Sequence, residues 1–114
     1  MTRAARSLIL AAVAAVSVGA GLPAKAQSYA TRTYLCDRGV EVPATYVVGP
    51  DYDLVVINVD GRQQTLVSEP SASGARYSWP SDGSVYVWWS KDDGATLLWK
   101  TPEGEVPVLT CIIP

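Results

Sequence analysis

The sequence predicts an all-β domain, a small antiparallel barrel or sandwich. Past Gln27 the chain divides into eight short runs rich in β-branched and aromatic residues. Clusters of Gly, Pro, Asp and Ser separate these runs at a spacing of roughly 8–12 residues. No stretch repeats its apolar residues at the 3.6-residue period of an amphipathic helix. Closure into a barrel would also remove edge strands that a domain this small has no spare chain to cover.

Each run has its own signal. Tyr29 to Asp37 alternates, is rich in Thr, Tyr and Leu, and ends at Asp37-Arg38-Gly39. Val40 to Val48 follows, with Pro43 placing that end at an edge or bulge because proline has no hydrogen to donate to a ladder. Gly49-Pro50-Asp51 is a turn. Leu54 to Val59 is dense in β-branched residues, Asp60-Gly61 is a two-residue hairpin signal, and Arg62 to Val67 is the return strand. Ser68-Glu69-Pro70 leads to four further runs, at Ala75–Trp79, Ser84–Ser90, Ala95–Lys100 and Val106–Ile113. The turns between them are Pro80-Ser81-Asp82-Gly83, Asp92-Asp93-Gly94 and Pro102-Glu103-Gly104.

The first 26 residues stand apart from this pattern. Arg3 and Arg6 make a basic start, and Ser7 to Leu22 is a nearly unbroken small and apolar run. Ala24-Lys25-Ala26 then fits the small-x-small cleavage site of a secretory signal peptide. A membrane-spanning helix fits less well, since the run is short for a span of about 20 residues and Ala/Gly-rich rather than Leu-rich. A lipoprotein needs its cysteine directly after the apolar run, whereas Cys36 lies well inside the following domain. The expectation is an exported domain at 27–114 with no stable membrane anchor.

That leaves 88 of 114 residues, one small domain with a modest core. Cys36 and Cys111 sit near its two ends, and in an oxidising compartment they most simply form one disulfide. Closing so long a loop contributes roughly 4–5 kcal/mol on the chain-entropy model. Loss of Arg3, Arg6 and Lys25 with the leader leaves 6 basic and 11 acidic side chains, a net charge of −5. Nucleic acid and anionic membranes are poor partners for such a surface, because both are bound through lysine and arginine. A basic partner would be drawn to it, although net charge of this sign also serves plain solubility.

Little here supports catalysis. The chain has no histidine, so none of its serines has the base that a Ser-His-Asp site requires. A serine paired with Lys91 is conceivable, but a single lysine in a turn is usually solvated. Asp51/Asp53 and Asp92/Asp93 suggest a glycosidase pair or a calcium site only until their turn context is weighed, where aspartate is favoured for local hydrogen bonds. No metal or cofactor site is expected. Six aromatic residues, Tyr77, Trp79, Tyr86, Trp88, Trp89 and Trp99, crowd into the second half. On the Ser84–Ser90 run, Val85, Val87 and Trp89 face one way while Tyr86, Trp88 and Ser90 face the other. One set fills the core, and two or three of the six aromatics belong there. An outward set would suit sugar stacking or a protein interface.

Two stretches remain. Ser73-Gly74 sets a small hydroxyl beside a residue free to adopt positive φ. Read alone, it is a hairpin entry. Ser90-Lys91-Asp92-Asp93-Gly94 follows a Tyr-x-x-Trp strand and gives a cationic loop tip. Together they offer a hydroxyl and an ammonium to an acidic cleft.

The pair Ser73-Gly74-Ala75-Arg76-Tyr77 and Tyr86-x-x-Trp89-Ser90-Lys91, with Ala95-Thr96-Leu97 after it, resembles the two motifs of the MliC/PliC family. The resemblance extends over the domain through Tyr34-x-Cys36, Asp60-Gly61, Leu66 and the terminal Cys111. It implies an eight-stranded antiparallel barrel whose ends are tied by the Cys36–Cys111 disulfide. It also implies a monomeric periplasmic inhibitor that occludes the active site of c-type lysozyme with two loops. By position, the binding residues would be Ser73, Gly74, Arg76, Tyr77, Ser90, Lys91 and Asp92. Ser73 would bond one catalytic carboxylate and Lys91 would pair with the other. The sequence departs from the family at Asp92, which stands where a glycine follows the lysine, and in the longer Tyr77-to-Tyr86 connection carrying Trp79 and Pro80. The rival reading is an envelope module of the same fold that binds peptidoglycan or another cell-surface partner without inhibiting.

Overall fold

Alternating apolar and polar side chains become, in a computed structural model describing residues 27–114, eight antiparallel strands closed into one barrel. The predicted signal peptide lies outside those described residues. The strands are β1 (Ser28–Cys36), β2 (Glu41–Val48), β3 (Asp53–Val59), β4 (Arg62–Glu69), β5 (Ala75–Ser78), β6 (Val85–Lys91), β7 (Gly94–Thr101) and β8 (Gly104–Ile112). Each pairs with its sequence neighbour, and β8 returns to β1. A barrel, and not a sandwich, therefore resolves the sequence alternatives.

The local signals act as expected. Asp60 and Gly61 both take positive φ, 58° and 74°, as the tight turn between β3 and β4 demands. Pro43 lies within β2 opposite Thr33, and the β2–β3 ladder starts only at Ala44. Its nitrogen thus falls where β2 pairs with β1 but not with β3. Asp37–Gly39 forms a single 3-10 turn with Arg38 and Gly39 at positive φ.

The barrel interior is filled by alternate residues. Tyr34, Val42, Val55, Ile57, Leu66, Trp88, Leu97, Leu109 and Cys111 are essentially inaccessible. Trp88 takes the place a phenylalanine-free chain must fill with some large side chain. Its ring meets Tyr34 edge-on at 5.2 Å. Its indole N–H donates to the Tyr46 hydroxyl at 2.8 Å, and Tyr46 shares a second bond of 2.7 Å with Tyr34. The buried polar atoms are thereby satisfied, which is the condition for placing them in a core at all. Burial, with the Tyr46 bond, pushes the Tyr34 phenol well above its ordinary range, so it stays protonated.

Of the six clustered aromatics, Tyr77 and Trp88 are buried and Tyr86 packs against the core. The face alternation of β6 holds, but Val87 on the outer face is buried as well. A bulge leaves Val108 of β8 unpaired between the Leu97–Leu109 and Leu98–Pro107 pairs, and such an extra residue bends a strand pair. The end of that hairpin curls over the outer surface, where Glu105 reaches Arg76 of β5. Ser78, Val87 and Leu98 on that outer face are buried.

The seam is short. Only Leu35–Ile112 and Cys36–Cys111 pair between β1 and β8. The disulfide joins the second pair directly. Beyond it, the Asp37 carboxylate accepts the Thr110 backbone N–H at 2.8 Å. The covalent staple sits where the hydrogen-bonded closure is weakest.

Candidate functional site

Neighbouring strands bring the two motifs to one end of the barrel. Ala75 of β5 pairs with Ser90 of β6, Ser90 with Ala95 of β7, Ala95 with Cys111 of β8, and Cys111 with Cys36 of β1. The disulfide therefore lies in the same cross-strand row as the motif residues. Because β5 and β6 run antiparallel, Ser73-Gly74 enters this row and Lys91-Asp92 leaves it on the same side, toward the barrel end.

Gly74 is required by space and by conformation. Its φ is 67°, and a Cβ there would stand 2.6 Å from the Ser90 carbonyl oxygen, 3.0 Å from Trp89 Nε1 and 3.1 Å from Lys91 Cβ. The first loop thus rests directly on the second strand. Two donors fix the Ser73 carbonyl: the Trp89 indole N–H at 2.9 Å and the Ser71 hydroxyl at 2.6 Å. With its backbone held, Ser73 itself remains exposed.

Lys91 closes β6 opposite Gly94 and is exposed, with no ion pair to it among the described residues. Asp92 has φ 55°. This is the conformation glycine adopts freely and aspartate tolerates better than most residues. Asp93 is tethered: its carbonyl accepts the Ile113 N–H at 2.8 Å, and its carboxylate lies 3.7 Å from Arg32 at the surface. Ser90, Lys91 and Asp92 border a shallow depression of about 360 Å³ whose floor includes Tyr34, Tyr46 and Tyr77.

Arg76 and Tyr77 occupy other positions. Tyr77 is 7% exposed, packed in the core beside Tyr46, and burial pushes its phenol upward. Arg76 points to the outer face. Its Nε donates to Glu69 at 3.1 Å and its Nη2 to Glu105 at 2.7 Å, while its guanidinium lies 5.4 Å from the centre of the Trp89 ring. Burial opposes its charge, but the two carboxylates outweigh that and hold its pKa above the ordinary value. Burial likewise opposes ionisation of Glu69. Hydrogen bonds from Ser78 and Arg76 prevail and hold its carboxyl below the usual range. Arg76 clamps Trp89, and Trp89 in turn holds Ser73.

Sequence reasoning did not find Trp89 as a brace, nor Glu69 and Glu105 as partners of Arg76. Glu69 and Arg76 face each other across β4 and β5, so their opposite charges were a usable signal. Glu105 had none, because its approach depends on the bend at Leu97/Leu98. The Tyr77-to-Tyr86 connection lies at the other end of these strands, so Trp79 and Pro80 stand away from Lys91.

Comparison with known proteins adds three findings. Residues 34–105, which contain both motifs, match the family model described as MliC, membrane-bound lysozyme-inhibitor of c-type lysozyme. A Cupriavidus necator protein named membrane-bound lysozyme inhibitor of C-type lysozyme is 41% identical over 64 residues, 56% of this chain and 48% of that protein. The chain thus matches about half the length of that relative. Pseudomonas aeruginosa MliC, crystallised in complex with hen egg white lysozyme, superposes with a TM-score of 0.62 at 26% identity, covering 83% of this chain and 92% of that one.

Proposed function

Since the chain belongs to the MliC family of inhibitors of c-type lysozyme, we propose that it blocks the lysozyme active-site cleft with Ser73 and Lys91. The observation that carries this is the seating of Gly74 against Ser90 and Lys91, which fixes a hydroxyl and an ammonium on adjoining loops. A glycosidase cleft holds one carboxylic acid and one carboxylate. A hydroxyl hydrogen-bonds the first, and an ammonium pairs with the second once water is displaced. No bond of the inhibitor changes.

The remaining motif residues act at different distances from the contact. Ser90 and Asp92 flank Lys91 at the rim. Gly74 permits the close packing of the loops. Tyr77 fills the barrel beneath them, and Arg76 steadies Trp89 behind Ser73. The role of these two is to hold the loops in shape, which makes inhibition depend on residues that need not touch lysozyme.

The site of action is the periplasm, reached through the signal peptide with cleavage near Ala26, and the domain works as a monomer. Its net charge of −5 after cleavage complements the positive charge usual in c-type lysozymes and speeds encounter. Hydrolysis of a small soluble chitooligosaccharide by hen lysozyme tests cleft occlusion. Full occupancy by the inhibitor should abolish it together with cell-wall lysis. Loss of cell-wall lysis alone would show that the protein binds elsewhere on the enzyme.

A further inference from the structure

The opposite end of the barrel carries a second concave surface, lined by Arg62, Gln64, Trp79, Ser84, Tyr86 and Trp99, with a volume of about 440 Å³. Its position follows from strand register. Arg62 and Gln64 alternate onto the same face of β4 as the buried Leu66, and Tyr86–Trp99 is a cross-strand pair two residues from Trp88–Leu97. These are inward-facing positions at the barrel mouth, where aliphatic side chains would complete the core. They hold a tryptophan, a tyrosine, an amide and a cation instead, and Trp79, just past β5, joins the lining. Tyr86 and Trp99 meet edge-on at 5.0 Å. Trp79 is 53% exposed and Trp99 38%, so both indoles leave part of their faces in water.

We propose that this mouth binds a pyranose glycan bearing a carboxylate. An indole face suits the apolar C–H face of a sugar ring, while Gln64 and Ser84 supply the few polar groups that orient a ligand in an otherwise aromatic site. Charge selects the acidic sugar. Arg62 is the only charged residue in the lining, although acidic side chains outnumber basic ones 11 to 6 past the leader. Arg62 makes no ion pair among the described residues. A guanidinium left free at an aromatic mouth matches a planar carboxylate in two-pronged geometry. The surface is at the far end from Lys91, so glycan and lysozyme can be held together.

The test is a titration of the purified protein, without lysozyme, by N-acetylglucosaminyl-N-acetylmuramic acid and by neutral chitobiose. Tryptophan fluorescence reads the parent, and calorimetry reads the variants. The acidic disaccharide should bind saturably and about tenfold more tightly than chitobiose, the worth of one charge-assisted contact. Arg62→Gln should erase that preference. Trp79→Ala should weaken both sugars by about tenfold or more, and both variants should still inhibit lysozyme as the parent does, showing an intact fold. No saturable binding, equal affinity for the two sugars, a preference that survives Arg62→Gln, or parental affinity in Trp79→Ala would each overturn the proposal. Failure of lysozyme inhibition in the parent would bear on the other end of the barrel only.

Discussion

Gly74 lies so close to the Ser90 carbonyl that a single added carbon would stand 2.6 Å from that oxygen. The two motifs are therefore one packed unit, and the loop that presents Ser73 takes its position from the strand that presents Lys91.

Gly74→Ala tests that unit. The added methyl meets backbone, which cannot swing away as a side-chain tip would, and the φ of 67° adds strain for any residue with a Cβ. We expect a stability loss of about 1–2 kcal/mol and inhibition weakened by about tenfold or more as Ser73 is displaced. Thermal unfolding and an inhibition titration measure the two effects separately. Parental inhibition would mean that loop seating does not matter.

Lys91→Ala should weaken inhibition more than Ser73→Ala. Truncating one partner of a desolvated charge pair costs about 2–5 kcal/mol, whereas one neutral hydrogen bond is worth about 1 kcal/mol. The double variant should remain folded and nearly inactive. Asp92→Gly should leave affinity unchanged or improve it, since it removes an acid from the rim and relieves a positive-φ position. Tighter binding by Lys91→Ala than by Asp92→Gly would reverse the assignment.

The disulfide should matter for the loop end in particular. Joint replacement of Cys36 and Cys111 by alanine leaves the two-pair seam between β1 and β8 without its covalent tie, and a stability loss of about 2–5 kcal/mol is expected. Non-reducing mass spectrometry of the parent should find no free thiol. Two alkylatable cysteines would contradict the closure.

Acid should weaken the outer-face clamp. The Glu69 carboxyl titrates below its unfolded value when folded, so its contribution to stability is present above the unfolded pKa of about 4.3 and is lost as pH falls through the folded value. Glu69→Gln should be less stable than the parent at pH 7, and the gap should shrink on acidification. Denaturant unfolding at several pH values measures the gap. A constant gap would indicate that the carboxylate charge contributes nothing.

Much of this was legible before the fold was. The eight runs, the Asp60-Gly61 turn and the end-to-end cysteines are local or pairwise signals, and each corresponds to a strand, a turn or the closing pair. The juxtaposition of the two motifs was also legible, because they flank consecutive strands. The burial of Tyr77 and the ion pairs of Arg76 were not. Tyr77 sits on an alternation that reads equally as surface or core. The fate of Arg76 depends on Glu105, brought to it by a bulge that no single residue announces.

Inhibition is read most directly from the residual muramidase activity of hen lysozyme titrated with the purified protein. Activity should fall in proportion to added protein and approach zero near equivalence, with raised salt slowing association far more than it speeds dissociation. Undiminished muramidase activity at a concentration where binding to lysozyme, or to peptidoglycan alone, is complete would contradict it.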